Sequence, residues 1–203
     1  TIYRYRLSGY SAAGMRFSAT QPGSFIDAAM CPYAIIETDF GDAPDAGGGG
    51  GAGNYNTLLA SNGPRHGLGS PLYLGTRVTS EDDAHQSAMA DGDDLTQGIQ
   101  DDALTLPLPV LPVDALNYSL TAAVTNDTGD TANLYGWIDF NKNGLFEASE
   151  AAAVIQIPPY SGTSQYTLDF GRPPGSALTP DHTFLRLRLT TDDLQDTGTE
   201  IQD

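Results

Sequence analysis

Short runs of alternating apolar and polar residues recur along the 203-residue chain, and helical periodicity is almost absent. Strands are predicted over residues 2–7, 15–19, 34–37, 72–74 and 104–110. Further strands are predicted over 116–124, 134–140, 154–157, 165–170 and 184–189. In Phe184-Leu185-Arg186-Leu187-Arg188-Leu189 the arginines fall on one face and the bulky apolar residues mostly on the other. Tyr3 and Tyr5 alternate with Arg4 and Arg6 in the same way. Clusters of Gly, Pro, Asn and Asp separate the runs, and 23 glycines and 13 prolines supply the turns. The pattern implies an all-β fold, an antiparallel β-sandwich of jelly-roll-like form.

Two stretches are too long for hairpin turns. Residues 39–71 include the flexible run Gly47 to Gly51, and residues 80–102 are dense in acid. Loops of this length carry function or hold an ion, because otherwise their ordering entropy goes uncompensated. The glycine run lacks the Gly-Lys-Ser/Thr ending of a phosphate loop. Residues 1 to about 38 read as the first strands of this unit, the alternative being the tail of a preceding one. The whole is expected to be a single ligand-binding module, residues 1–203, cut from a larger surface protein.

Charge narrows the chemistry. The chain carries 26 Asp plus Glu against 9 Lys plus Arg, a net charge of −17. Such a surface repels phosphate backbones and anionic membranes, so neither nucleic acid nor membrane insertion is expected. Of the acids, 21 are Asp and 5 are Glu, a bias towards turns and short-armed oxygen cages rather than helix faces. Self-repulsion on this scale weakens the compact state unless cations neutralise it. Cys31 is the only cysteine, so an intrachain disulfide and a cysteine-based zinc cluster are both impossible.

The strongest motif is Asp139-Phe-Asn141-Lys-Asn143-Gly144-Leu145-Phe-Glu147-Ala-Ser-Glu150. It meets each ligand place of a twelve-position calcium loop. Asp139, Asn141 and Asn143 offer side-chain oxygens, Gly144 permits the sharp turn and Leu145 offers its carbonyl. Glu147 acts directly or through water, and Glu150 can bind with both oxygens. The residues before it, Leu134-Tyr-Gly-Trp-Ile, form a strand rather than a helix, so the loop sits in a β framework and is expected to be a structural site.

Three further acidic sets are candidate Ca²⁺ ligands, so several ions are expected. Asp39, Asp42 and Asp45 stand at spacing three in a loop broken by Gly and Pro. Asp91, Gly92, Asp93 and Asp94, with Asp101 and Asp102, form the candidate ligand-binding mouth, in a loop that also holds Glu81, Asp82 and Asp83. Adjacent carboxylates in a low-dielectric cage raise one another's pKa values unless a metal removes the conflict. Asp192, Asp193 and Asp196 come just after the Phe184 strand. Enzymatic chemistry is not expected. His66, His85 and His182 lack metal-ligand spacing, and there is no Gly-x-Ser-x-Gly elbow. With 26 acids, no glycosidase pair can be singled out. Asn117-Tyr-Ser119 and Asn126-Asp-Thr128 are glycosylation sequons by letter only.

Six segments occur in an order that resembles a known family. They are Asp39-Phe-Gly-Asp-Ala-Pro-Asp45, Leu58-Leu-Ala-Ser-Asn-Gly-Pro-Arg-His66, Leu72-Tyr-Leu-Gly75 and Ala90-Asp-Gly-Asp-Asp94, then Gly136-Trp-Ile-Asp-Phe-Asn-Lys-Asn-Gly144 and Phe184-Leu-Arg-Leu-Arg-Leu189. Together they resemble the extracellular GEVED-type domain of very large bacterial adhesins, over residues 39 to about 200. The terminal Gly-Glu-Val-Glu-Asp signature is absent and is expected just beyond Asp203, and Asp101-Asp102-Ala103-Leu104 departs from the usual Asp-Gly-Val. The resemblance implies a secreted, calcium-stabilised, monomeric module at the bacterial cell surface. It would act in adhesion or biofilm formation as modules of RTX adhesins do, holding a peptide or glycan of another cell. A calcium-stiffened spacer, or an accessory module of a carbohydrate-active enzyme, is the alternative.

Overall fold

The computed structural model describes residues 3–4, 15–16, 37–47, 50–92, 103–105, 107–112, 116–171 and 182–194. Contacts divide the chain into two compact units, Thr1–Ile36 and Glu37–Asp203. In the first, β1 (Tyr3–Arg4) pairs antiparallel with β2 (Met15–Arg16).

The second unit contains β3 (Thr38–Phe40), β4 (Arg65–Gly67), β5 (Leu72–Leu74), β6 (Ser119–Asn126) and β7 (Ala132–Ile138). After these come β8 (Ile155–Ile157), β9 (Gly162–Asp169) and β10 (Leu185–Thr190). Each pair of these strands is antiparallel. One sheet has the order β10-β7-β8 and another β5-β6-β9, while β3 and β4 form a separate two-stranded ribbon. The expected all-β class is observed, with two single-turn 3₁₀ segments at Leu59–Ser61 and Ala148–Glu150.

Alternation explains which side of each sheet is covered. On β6, Leu120, Ala122 and Val124 point inward, and on β7, Ala132, Leu134 and Ile138 do so. With Leu168 of β9, Leu189 of β10, Ile157 of β8 and Phe140, they form one core fed by both three-stranded sheets. The opposite face of β7 is buried too. Tyr135 and Trp137 stack there, ring centroids 5.9 Å apart, in a second cluster with Ala43, Tyr55, Phe146 and Leu194. A strand buried on both faces has little freedom to slip in register, since a one-residue shift would exchange the two clusters.

Several strands differ from those predicted. The expected strand over 104–110 reduces to a bridge between Leu104 and Ala122. Pro107 and Pro109 lack the N–H donors that a ladder needs, and Tyr118 instead donates its hydroxyl to the Pro109 carbonyl at 2.7 Å. The expected strand over 34–37 begins only at Thr38, with residues 34–36 outside the described ones. β4 is an addition to the predicted set, because three residues with no apolar side chain, Arg65-His66-Gly67, carry no strand signal. The arginines of β10 do share a face, but it is the covered one: Arg188 is 1% exposed. Asn126 is fully buried, with its carboxamide spent on the carbonyls of Asp130, Ile157 and Pro158 and on Thr128, so its sequon is a structural device.

Gly136 sits where β7 faces side chains of both sheets. A Cβ there would lie 3.1 Å from Leu187, 3.3 Å from Leu168 and 3.3 Å from Phe170. Gly136→Val should therefore cost about 1–3 kcal/mol through overpacking, read as a lowered Tm with the β-rich circular dichroism retained.

Candidate metal centre

β7 ends at Ile138 and delivers Asp139 into the interior, fully buried. Its backbone is clamped to the segment entering β10, since the Asp139 N–H donates to the Phe184 carbonyl at 3.1 Å and the Thr183 hydroxyl donates to the Asp139 carbonyl. The carboxylate Oδ2 accepts the Tyr55 hydroxyl at 2.8 Å and the Gly144 N–H at 2.9 Å, and Oδ1 accepts the Asn143 N–H at 3.2 Å. Asn141 and Asn143 continue the winding as Asx turns, accepting the N–H of Asn143 at 2.9 Å and of Leu145 at 2.8 Å.

The far end of the loop closes onto the near end. Glu150, 2% exposed, accepts the Asn141 N–H on Oε1 and the Glu147 N–H on Oε2, both at 3.2 Å. The Glu147 carboxylate takes the Asn141 side-chain amide at 2.8 Å. Phe140 and Phe146, each 1% exposed, anchor the loop in the two different core clusters. The loop thus has a buried pole at Asp139 and Glu150 and a wet pole at Asn141.

A second element seals the loop from behind. Gly144 has φ +80°, and a Cβ on it would fall 1.6 Å from the Gly51 carbonyl oxygen. A Cβ on Gly50 would fall 2.5 Å from the Leu145 side chain. The glycine run therefore lets backbone approach backbone, as side chains would not. Residues 51 and 54 close this segment with paired backbone bonds of 3.2 and 2.7 Å, and Tyr55 then inserts, 1% exposed, against Phe146 and Phe184.

Electrostatics at the buried pole are unbalanced. Burial pushes the Glu150 carboxyl above its usual range; the Glu147 and Asn141 N–H groups oppose this, while the charges of Asp139 and Glu147 add to it. Burial likewise raises the Tyr55 hydroxyl, helped by its hydrogen bond to Asp139. The cation on this side of the loop is Arg186, which donates to the Tyr55 carbonyl at 3.0 Å and lies 4.7 Å over the Phe146 ring. Burial, then the charge of Arg188, pulls Arg186 down to about 9, against the opposing pull of Tyr55 and Asp45, so it stays protonated at neutral pH.

The donor set fits a hard cation: two buried carboxylates, a third at the rim, two carboxamides and a backbone carbonyl, with no nitrogen or sulfur donor. Among the described residues no three His, Cys, Asp or Glu side chains gather as a metal-holding group. Asp139, Glu147 and Glu150 each accept N–H donors of the loop itself, and the Asn141 and Asn143 carboxamide oxygens accept the N–H groups of Asn143 and Leu145.

The other predicted ligands are placed differently. Asp39 lies on β3 opposite His66. Asp45, 3% exposed, accepts the N–H groups of Gly47 and Leu58, both at 2.8 Å. Burial would raise its pKa, but these bonds and others from Ser61 and Thr57 hold it below the usual value. The Asp42 carbonyl accepts the Ser87 N–H at 3.0 Å, and Asp91 takes the Ser87 hydroxyl at 2.6 Å, so Ser87 joins the two long loops. Glu81, 5% exposed and not among the predicted ligands, accepts the Phe40 N–H at 3.2 Å, and Asp83 accepts that of Leu59 at 2.7 Å. Gly92 packs against the His85 carbonyl so tightly that a Cβ would be 1.4 Å from its oxygen. Asp93, Asp94, Asp101, Asp102 and Asp196 lie outside the described residues. The Asp192 carbonyl and the Asp193 carboxylate meet Asn133 and Tyr135 at the other end of β7.

Residues 133–202 match the family model of the GEVED domain. The matched stretch runs from β7 through β10 and includes the whole Asp139 loop. The segments that seal it, Gly50 to Tyr55, stand outside the match. No curated protein and no solved structure matches the chain.

Tyr55→Phe removes one of three donors to a buried carboxylate. It should lower stability by about 1.5–3 kcal/mol in chemical denaturation, with the denaturant slope unchanged.

Proposed function

We propose that the chain is a calcium-organised β module of a bacterial surface adhesin that recognises a peptide or glycan on another cell. The observation that carries the calcium part is the burial of Asp139 and Glu150 together at one end of a loop that otherwise offers only oxygen donors. Two like charges sharing a low-dielectric site conflict, and a bound divalent cation relieves that conflict. Asp139, Asn141, Asn143, the Leu145 carbonyl, Glu147 and Glu150 would hold the ion, and its charge would tie β7 to the 3₁₀ turn at Ala148–Glu150. The GEVED match over residues 133–202 and the knitting of the two long loops into one surface support the recognition part.

Calcium binding to the folded form adds stability by mass action. At free calcium a hundredfold above Kd the gain is about 2.7 kcal/mol, which in a chain of this length moves Tm by roughly 5–10 °C. Native mass spectrometry should show one ion fewer in Asp139→Ala. The gain should also depend on pH in a defined direction. Because the folded pKa of Glu150 is raised, its ionisation costs stability as pH climbs from its ordinary value of 4.5 through the folded one. Acidification restores that contribution in the calcium-free protein, and protons then compete with the ion. The Tm difference between calcium and chelator should therefore shrink from about pH 7 to about pH 5. Identical melting in calcium and in chelator at neutral pH would refute the proposal.

A further inference from the structure

An open concavity of about 750 Å³ lies at the start of β7, lined by Asn133, Tyr135, Val154, Ile155, Gln156 and Asp193. We propose that it binds an uncharged sugar ring. Asn133 and Gln156 are direct partners in the β7–β8 register, so their carboxamides stand side by side on the face of the sheet turned away from the main core. Tyr135 lies two residues later on that face. Its hydroxyl donates to an Asp193 carboxylate oxygen at 3.3 Å and accepts the Leu194 N–H at 3.0 Å, which sets the carboxylate at the wall of the concavity. Asn133 donates one amide hydrogen to the Asp192 carbonyl at 3.2 Å, so its side chain is also oriented.

The lining selects the ligand class. It contains no Lys, Arg or His, one carboxylate, two carboxamides and an aliphatic surface at Val154, which is 48% exposed. An anion would meet Asp193 with no cation in the lining, and Arg188, opposite Tyr135 in the register, is 1% exposed and covered. A plain hydrocarbon would take water from the exposed Gln156 carboxamide and from the polar atoms of Asn133 and Asp193 that face the concavity, with nothing in exchange. A neutral sugar satisfies both demands: its hydroxyls donate to the carboxylate and exchange bonds with the carboxamides, and its C–H face covers Val154. The volume suits a small ligand.

This inference deepens the recognition reading and does not involve the Asp139 loop. Asn133 precedes Asp139 by six residues of strand, about 20 Å. An ion in that loop would therefore not touch the sugar.

Trp137 is the single tryptophan, and it stacks on Tyr135 with an interplanar angle of 7°, so its fluorescence reports on the concavity. The calcium-loaded protein is screened on an array of neutral glycans and a parallel array of cationic and neutral peptides. Hits are then titrated by tryptophan fluorescence, with free glucose, galactose, mannose and N-acetylglucosamine included. A saturable response to a neutral saccharide is expected. It should weaken by about tenfold or more in Gln156→Ala, an exposed position, and further in Asn133→Ala/Gln156→Ala, with Tm and ion count unchanged in the single variant. Absence of any neutral-saccharide hit, binding that survives both substitutions, or capture of peptides alone would overturn the proposal. Failure of the calcium reading appears separately, as a missing ion in native mass spectrometry with the sugar titration intact.

Discussion

The structure turns on one buried carboxylate at the end of a strand that is buried on both faces from Leu134 to Ile138. β7 lies between two apolar clusters, so the residue after Ile138 is carried inward. That residue is Asp139, and a charged group there is tolerable only if its oxygens are occupied. Tyr55, Gly144 and Asn143 occupy them from three directions. Two of these donors belong to the loop that the carboxylate begins, and the third comes from a segment more than eighty residues earlier. The geometry of the loop, the docking of the glycine run and the entry of Tyr55 into the second cluster are one packing problem with one solution.

That solution accounts for features that composition leaves obscure. Gly47 to Gly51 reads as a flexible linker in isolation, yet the carbonyl of Gly51 presses on Gly144 where no Cβ fits on the latter. The same segment meets Arg186 of β10, which donates to the Tyr55 carbonyl and lies over Phe146, beside Trp137 in the β-sheet register. In a chain of net charge −17, the Arg186 guanidinium puts positive charge beside the long loop, where Asp45 and Tyr55 both interact with it.

Much of the fold is legible in the sequence because strand alternation is a local property. The cores of β6, β7, β9 and β10 appear as period-two patterns, and the Asp139 loop as a fixed spacing of oxygen donors. Long-range partners are not legible. Nothing near Asp139 in sequence announces Tyr55, and Arg186 looks like an exposed residue because alternation cannot say which face a distant loop will cover. β4 and the loss of the 104–110 strand escape for another reason: the first has no apolar side chain to mark it, and the second has prolines where the ladder needs donors. The concavity at Asn133 is invisible for a third reason, since it is assembled from β7, β8 and the turn that follows β10.

The acids themselves do not all serve one purpose, and this changes what the charge excess means. Asp45, Glu81, Asp83 and Asp169 each accept backbone N–H groups that turns leave without partners, at distances of 2.7 to 3.2 Å. An Asp in such a place contributes a negative charge to the total while its hydrogen bonds are those of a fold clamp. The count of carboxylates is therefore no count of ions. Asp139 and Glu150 differ from the others because both are buried at one pole, where the charge of Asp139 raises the cost of ionising Glu150. A backbone N–H can orient a carboxylate but cannot cancel a second charge beside it, and a divalent cation can. The surplus of acid therefore belongs largely to turns, and the shared burial of this one pair is what the calcium proposal rests on.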